Sequence, residues 1–183
     1  MRMYPLVFLV IAFYFGCLTP IYTQEVRVSQ AAMLMQSVGN AQITFSYSRP
    51  GVKNRKIWGA LVPYGLSKSD EGKMIPWRAG ANENTTFTVT KNVKIEGQTL
   101  KAGTYGLHMI PGTDAFTIIF SKNSTAWGSF SYDPSEDVLR VNVKPESAVH
   151  QEWLLYGFDS LTEHSCTAFL HWERLKIPIK IEL

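Results

Sequence analysis

Three observations predict an all-β fold, a single antiparallel β-sandwich or flattened barrel with little helix. Apolar and polar residues alternate strictly in several short runs, turn residues recur at close intervals, and helical periodicity is scarce. Ile43, Phe45 and Tyr47 alternate with Thr44, Ser46 and Ser48, and Phe87 and Val89 with Thr86, Thr88 and Thr90. Leu139, Val141 and Val143 alternate with Arg140, Asn142 and Lys144; Leu175, Ile177, Ile179, Ile181 and Leu183 alternate with Lys176, Pro178, Lys180 and Glu182. Because successive side chains leave opposite faces of a strand, each run reads as a strand with one wet face. Thr104 to Ile110 and Ala115 to Ser121 flank Pro111-Gly112-Thr113-Asp114, the composition of a hairpin turn. Glu96-Gly97-Gln98 and Lys101-Ala102-Gly103 mark two further turns, and Ser67 to Lys73 reads as an exposed polar loop. A turn or two of helix is expected over Ser29–Met35 and one over Ser124–Trp127. Pro178 has no N–H for a ladder, which places the last strand at a sheet edge.

The 183 residues suit one domain, and 45% hydrophobic with 18% charged residues excludes both a disordered chain and a multispan membrane protein. The net charge of +3 includes no Lys/Arg block that would track a phosphate backbone, so nucleic acid is not an expected partner. Residues 1–23 carry one positive charge at Arg2 and an apolar run of about ten residues ending near Pro20, the layout of a secretory signal peptide rather than a span of about 20. Ile21 and Thr23 stand before Gln24, the expected first residue of a mature domain over 24–183. Cys17 raises lipidation as an alternative, disfavoured by Tyr14 and Phe15 ahead of it. With that segment removed Cys166 is alone, so the core must hold the fold without a disulfide.

A series of short motifs then occurs in order: Ser48-Arg49-Pro50-Gly51, Lys56-Ile57-Trp58-Gly59, Leu61-Val62-Pro63-Tyr64-Gly65 and Trp77-Arg78-Ala79-Gly80-Ala81-Asn82-Glu83. Ala102-Gly103-Thr104-Tyr105-Gly106-Leu107, Trp127-Gly128-Ser129-Phe130, Glu136-Asp137 and Glu152-Trp153-Leu154 follow. Across about residues 26 to 182 the chain resembles the secreted bacterial proteins grouped as domain of unknown function 2911. The resemblance implies export to the periplasm or envelope of a Gram-negative bacterium and a β-rich single domain, and it transfers no activity or cofactor. Many members run directly from the Pro-Tyr-Gly motif to the Trp-Arg motif, whereas here Leu66 to Pro76 intervenes.

The leading candidate site is Arg78 with Asn82 and Glu83, backed by Arg49 and Trp77. The planar guanidinium suits a carboxylate or phosphate, Asn offers donor and acceptor, and Gly80 permits close approach of backbone. The competing reading pairs Arg78 with Glu83 to pin the loop. Trp77 and Trp127, beside loop glycines, are candidates for stacking on sugar rings, while the parity of Trp172 with Ala168 and Leu170 assigns it to the core. His108, His171 and Glu173 form the one metal-like set. His171 and Glu173 are two apart, about 6.6 Å along a strand, and His108 lies on the polar parity of its own strand, opposite Tyr105, Leu107 and Met109. His150 and His164 read as loop residues. No Ser occupies a G-x-S-x-G elbow, and Asn84-Thr85-Thr86 and Asn123-Ser124-Thr125 are sequons that a bacterial context leaves unused. The expectation is a non-catalytic module for a small anionic or glycan ligand, or for an envelope partner, with no cofactor. The alternative is a metal-assisted hydrolase or isomerase using His108, His171 and Glu173.

Overall fold

In a computed structural model, which describes residues 26–183, the alternating runs pair into two open antiparallel sheets. The strands are β1 (Gln30–Val38), β2 (Ala41–Arg49), β3 (Ser67–Lys68), β4 (Met74–Ile75), β5 (Thr86–Val89), β6 (Val93–Ile95), β7 (Gln98–Leu100), β8 (Gly103–Ile110), β9 (Phe116–Ser121), β10 (Asp137–Val143), β11 (Glu146–Asp159) and β12 (Ser165–Glu182). The six-stranded sheet has the order β1-β2-β5-β8-β9-β10 and the four-stranded sheet β11-β12-β6-β7; β3 and β4 form a small ribbon. The architecture is a sandwich rather than a closed barrel. The expected hairpin joins β8 to β9, and Glu96-Gly97 turns β6 into β7 with both residues at positive φ, the conformation a two-residue hairpin requires.

The alternation does what its period dictates. Ile43 and Phe45, Phe87 and Val89, Leu107 and Met109, and Ile118 and Phe120 face inward from the larger sheet and are buried. Opposite them lie Tyr156, Ala168, Leu170 and Trp172 of the smaller sheet. Phe45 stacks on Tyr156 with centroids 4.4 Å apart and meets Phe87 edge-on at 5.1 Å. The sheets are also laced at one corner, where Leu154 N–H donates to Pro50 O at 3.0 Å and Val52 N–H to Glu152 O at 2.8 Å. The Cys166 thiol is free and buried, and burial pushes its pKa up to about 11.

Several expectations need correction. Ser29–Met35 is not helical: Gln30–Val38 pairs with β2 residue for residue, because the ladder offered by β2 outweighs the helix preference of Ala, Leu and Met over so short a run. Ser124–Trp127 is irregular coil, and the loop at Ser67–Lys73 is instead a ribbon closed by a tight turn. His150 lies within β11. Pro178 is not on an edge strand, since β12 runs between β11 and β6. It is tolerated because β11 pairs only as far as Lys176 and β6 begins pairing at Ile181. β12 also switches parity, burying Cys166, Ala168, Leu170 and Trp172 and then Ile177, Ile179 and Ile181. Glu173 has φ +55° and the register with β11 shifts nearby, a bulge that turns the strand over.

The two halves of the larger sheet differ on their outer face. Over β8, β9 and β10 a second apolar cluster of Ile75, Ile119 and Tyr132 covers it. Over β1, β2 and β5 the face is open, and the candidate site lies there.

Candidate functional site

Cross-strand register builds the floor. Met33 of β1 stands opposite Ser46 of β2, and Ser46 opposite Thr86 of β5; Ala31 stands opposite Ser48 one row along. These are the outward positions of strands whose inward positions are Phe45, Tyr47 and Phe87, so the floor mixes the hydroxyls of Ser46, Ser48 and Thr86 with the apolar Ala31 and Met33. It forms a groove of about 670 Å3, bordered by Glu83, Asn84 and the segment Ser124–Trp127. The Trp127 indole is 57% exposed at this border.

The Ser124–Trp127 segment is held by Asn84, whose N–H donates to Ala126 O at 3.2 Å and whose Nδ2 donates to Asn123 O at 2.9 Å. Gly106 permits this approach, since a Cβ there would lie 2.4 Å from Asn123 O. Asn84 Oδ1 is buried and has no hydrogen-bond partner among the described residues, a state that buried polar atoms rarely keep. At the groove's end Glu83 pairs with Arg27. Its own backbone N–H, and then the Arg27 guanidinium, hold the Glu83 carboxyl below its usual range.

The expected cluster is dispersed by this geometry. Arg78 does not pair with Glu83. Its Nη1 donates to Asn82 O at 2.6 Å, its guanidinium carbon lies 4.8 Å from the Phe130 ring centre, and Gly128 closes over it so tightly that a Cβ would meet Cζ at 2.4 Å. Half-burial lowers the Arg78 pKa. Asn82 takes φ +59° and its Nδ2 donates to Ser29 O at 3.1 Å. Arg49 Nε donates to Leu154 O at 2.8 Å, tying the sheets together. Trp77 bridges to Met109 and stacks on Trp172, 6.1 Å away, and lines a separate cavity rather than the groove. Of the five candidates, only Glu83 lines the groove. Ala79, at φ +51°, explains why this loop is shaped so tightly: its carbonyl accepts from the buried Tyr156 hydroxyl at 2.9 Å and from Thr85 Oγ1 at 3.3 Å.

The metal-like set is likewise not assembled. His108 is on the outer parity as expected, yet buried, because the second apolar cluster covers it. Its Nδ1 lies 2.9 Å from Ser129 Oγ, and burial, then the Arg78 charge, lower its pKa to about 4. His171 Nε2 hydrogen-bonds Val149 O at 2.9 Å, and Glu173 Oε2 accepts from Arg174 N–H at 2.6 Å within the bulge. Among the described residues no three His, Cys, Asp or Glu side chains come together as a metal site. No described helix is long and apolar enough to cross a membrane. The signal-peptide and Cys17 expectations concern residues 1–23, outside the described residues.

The family model described as a protein of unknown function, DUF2911, matches residues 29–181. The chain belongs to this family. No curated protein and no solved structure matches it. The match spans every strand except the last residue of β12, and every groove residue except Arg27 lies within it.

Sequence reasoning missed Arg27, Ser46, Ser48 and Thr86 as groove residues. For Ser46, Ser48 and Thr86 the signal is the polar parity of β2 and β5, which marks an outward face but not which outward face stays uncovered; Arg27, ahead of β1, carries no such signal. Asn84 registered only as a sequon.

Proposed function

We propose that the chain is an exported, non-catalytic binding module of the Gram-negative envelope whose groove over β1, β2 and β5 takes a short, neutral glycan. The observation that carries this reading is the pairing of an exposed indole with a floor that presents the hydroxyls of Ser46 and Thr86. Trp127 offers a flat apolar face for a pyranose ring, and Ser46 and Thr86 can each donate and accept toward sugar hydroxyls. Neutral sugar is favoured over an anion because Arg27 is neutralised by Glu83, and Arg78 is turned away onto Phe130. The metal-assisted alternative is disfavoured by the enclosure of His108 and the separate partners of His171 and Glu173.

Calorimetric titration of the purified chain with neutral oligosaccharides (chitobiose, cellotriose and maltotriose) tests the reading. At least one should bind, and Trp127→Ala should weaken it by about tenfold or more with no change in melting temperature, as expected for an exposed ring. Absence of binding across the panel, or equal binding by the variant, refutes the proposal.

A further inference from the structure

We propose a second site, independent of the groove, in a cavity of about 340 Å3 at one end of the sandwich. It takes a small amphiphilic anion, an aryl or short acyl carboxylate. The apolar part is built by Trp77 and Leu61, backed by the buried Val62 and by the buried Trp172, whose plane lies 17° from that of Trp77. Such a floor accepts a ring or an alkyl chain by burial of apolar area. Ser29 is the one hydroxyl side chain among the lining residues, which disfavours a sugar here.

The charge comes from Lys53 and Arg55. Both line the cavity, neither joins an ion pair among the described residues, and no Asp or Glu shares the lining. Arg55 is pre-oriented, because its Nε donates to Val52 O at 3.1 Å and its Nη2 to Gly51 O at 2.6 Å, leaving Nη1 without a partner among the described residues. Lys53 Nζ rests over the Trp153 ring at 5.8 Å and can reorient at little cost. The carboxylate of Glu152 is occupied by Lys53 N–H at 2.9 Å and by His150 at 3.3 Å. Two cations outside any ion pair among the described residues, beside an indole and with the one nearby carboxylate, Glu152, outside the lining, are complementary to a carboxylate on an apolar body.

The test compares 4-phenylbutyrate with its neutral amide, 4-phenylbutyramide, by calorimetry and by quenching of tryptophan fluorescence. The carboxylate should bind about tenfold more tightly, and the difference should shrink with added salt. Lys53→Gln, whose side chain makes no hydrogen bond in the fold, should narrow the gap by itself. The double variant Lys53→Gln, Arg55→Gln should abolish the gap while leaving amide binding in place. Ala81→Phe, which fills the cavity, should weaken both probes, whereas Trp127→Ala should leave both unchanged. The proposal is overturned if neither probe binds, if acid and amide bind equally, if the gap survives in Lys53→Gln, or if Ala81→Phe has no effect.

Discussion

His108 makes the stability of this sandwich depend on pH in a direction and size that its surroundings define. The imidazole is enclosed by Ile119, Tyr132 and Ser129, with the Arg78 charge nearby, so the folded protein holds it neutral with a pKa near 4 against an ordinary 6.5. In the unfolded chain it protonates near 6.5, so between pH 6.5 and 4 the unfolded state binds more protons. Stability therefore falls as pH falls through that window. At about 1.4 kcal/mol per pH unit the whole effect is roughly 3 kcal/mol, of which about 2 kcal/mol separates pH 7 from pH 5. The assay is urea unfolding at pH 7 and pH 5 for the wild type and for His108→Gln, whose amide still reaches Ser129 but does not titrate. With a urea dependence of about 2 kcal/mol per molar, the wild-type midpoint should drop about 1 M further than that of the variant. His150, His164, His171 and every carboxylate are common to both proteins and cancel in the difference. Equal pH dependence in the two proteins would refute the burial argument for His108.

Two packing predictions bear on the loops that border the groove. Arg78→Lys retains charge but loses the planar face over Phe130 and the bond to Asn82 O, and should cost about 1 kcal/mol in chemical unfolding; an unchanged midpoint would show that the stacking contributes nothing. Gly106→Ala places a Cβ 2.4 Å from Asn123 O, which is backbone and must shift. It should destabilise by about 1–3 kcal/mol and loosen the Ser124–Trp127 segment, read as faster amide exchange at Ala126 and Trp127.

The strands at Ile43–Tyr47, Thr104–Ile110 and Leu139–Val143 were legible in the sequence because a two-residue period has one physical cause, a sheet with one buried face. The hairpin at Pro111–Asp114 was legible because turn residues act locally. Gln30–Val38 was not legible as a strand, since Ala, Met and Leu carry little local preference for one and the partner β2 decided the matter. Pro178 misled for a similar reason: whether a missing N–H matters depends on where neighbouring strands stop.

The site divides along the same line. That Trp172 belongs to the core follows from parity alone. The fate of Arg78 does not, because its choice between Glu83, five residues along the same loop, and the Phe130 ring is settled by a loop that arrives from about fifty residues downstream. His108 shows the limit most clearly. Its strand parity correctly put it on the outer face, but only tertiary structure decides whether an outer face meets water, and here Ile75 and Tyr132 cover it while Ser46 and Thr86 are left open. The chain alone carries which side is apolar in the strands with a clean two-residue period, β2, β5 and β10, since that information runs residue by residue, but not in β1 or across the parity change at Glu173 in β12. Which outward face is covered, which cation keeps its charge unpaired and which indole stays exposed depend on segments remote in sequence, and these the tertiary structure decided.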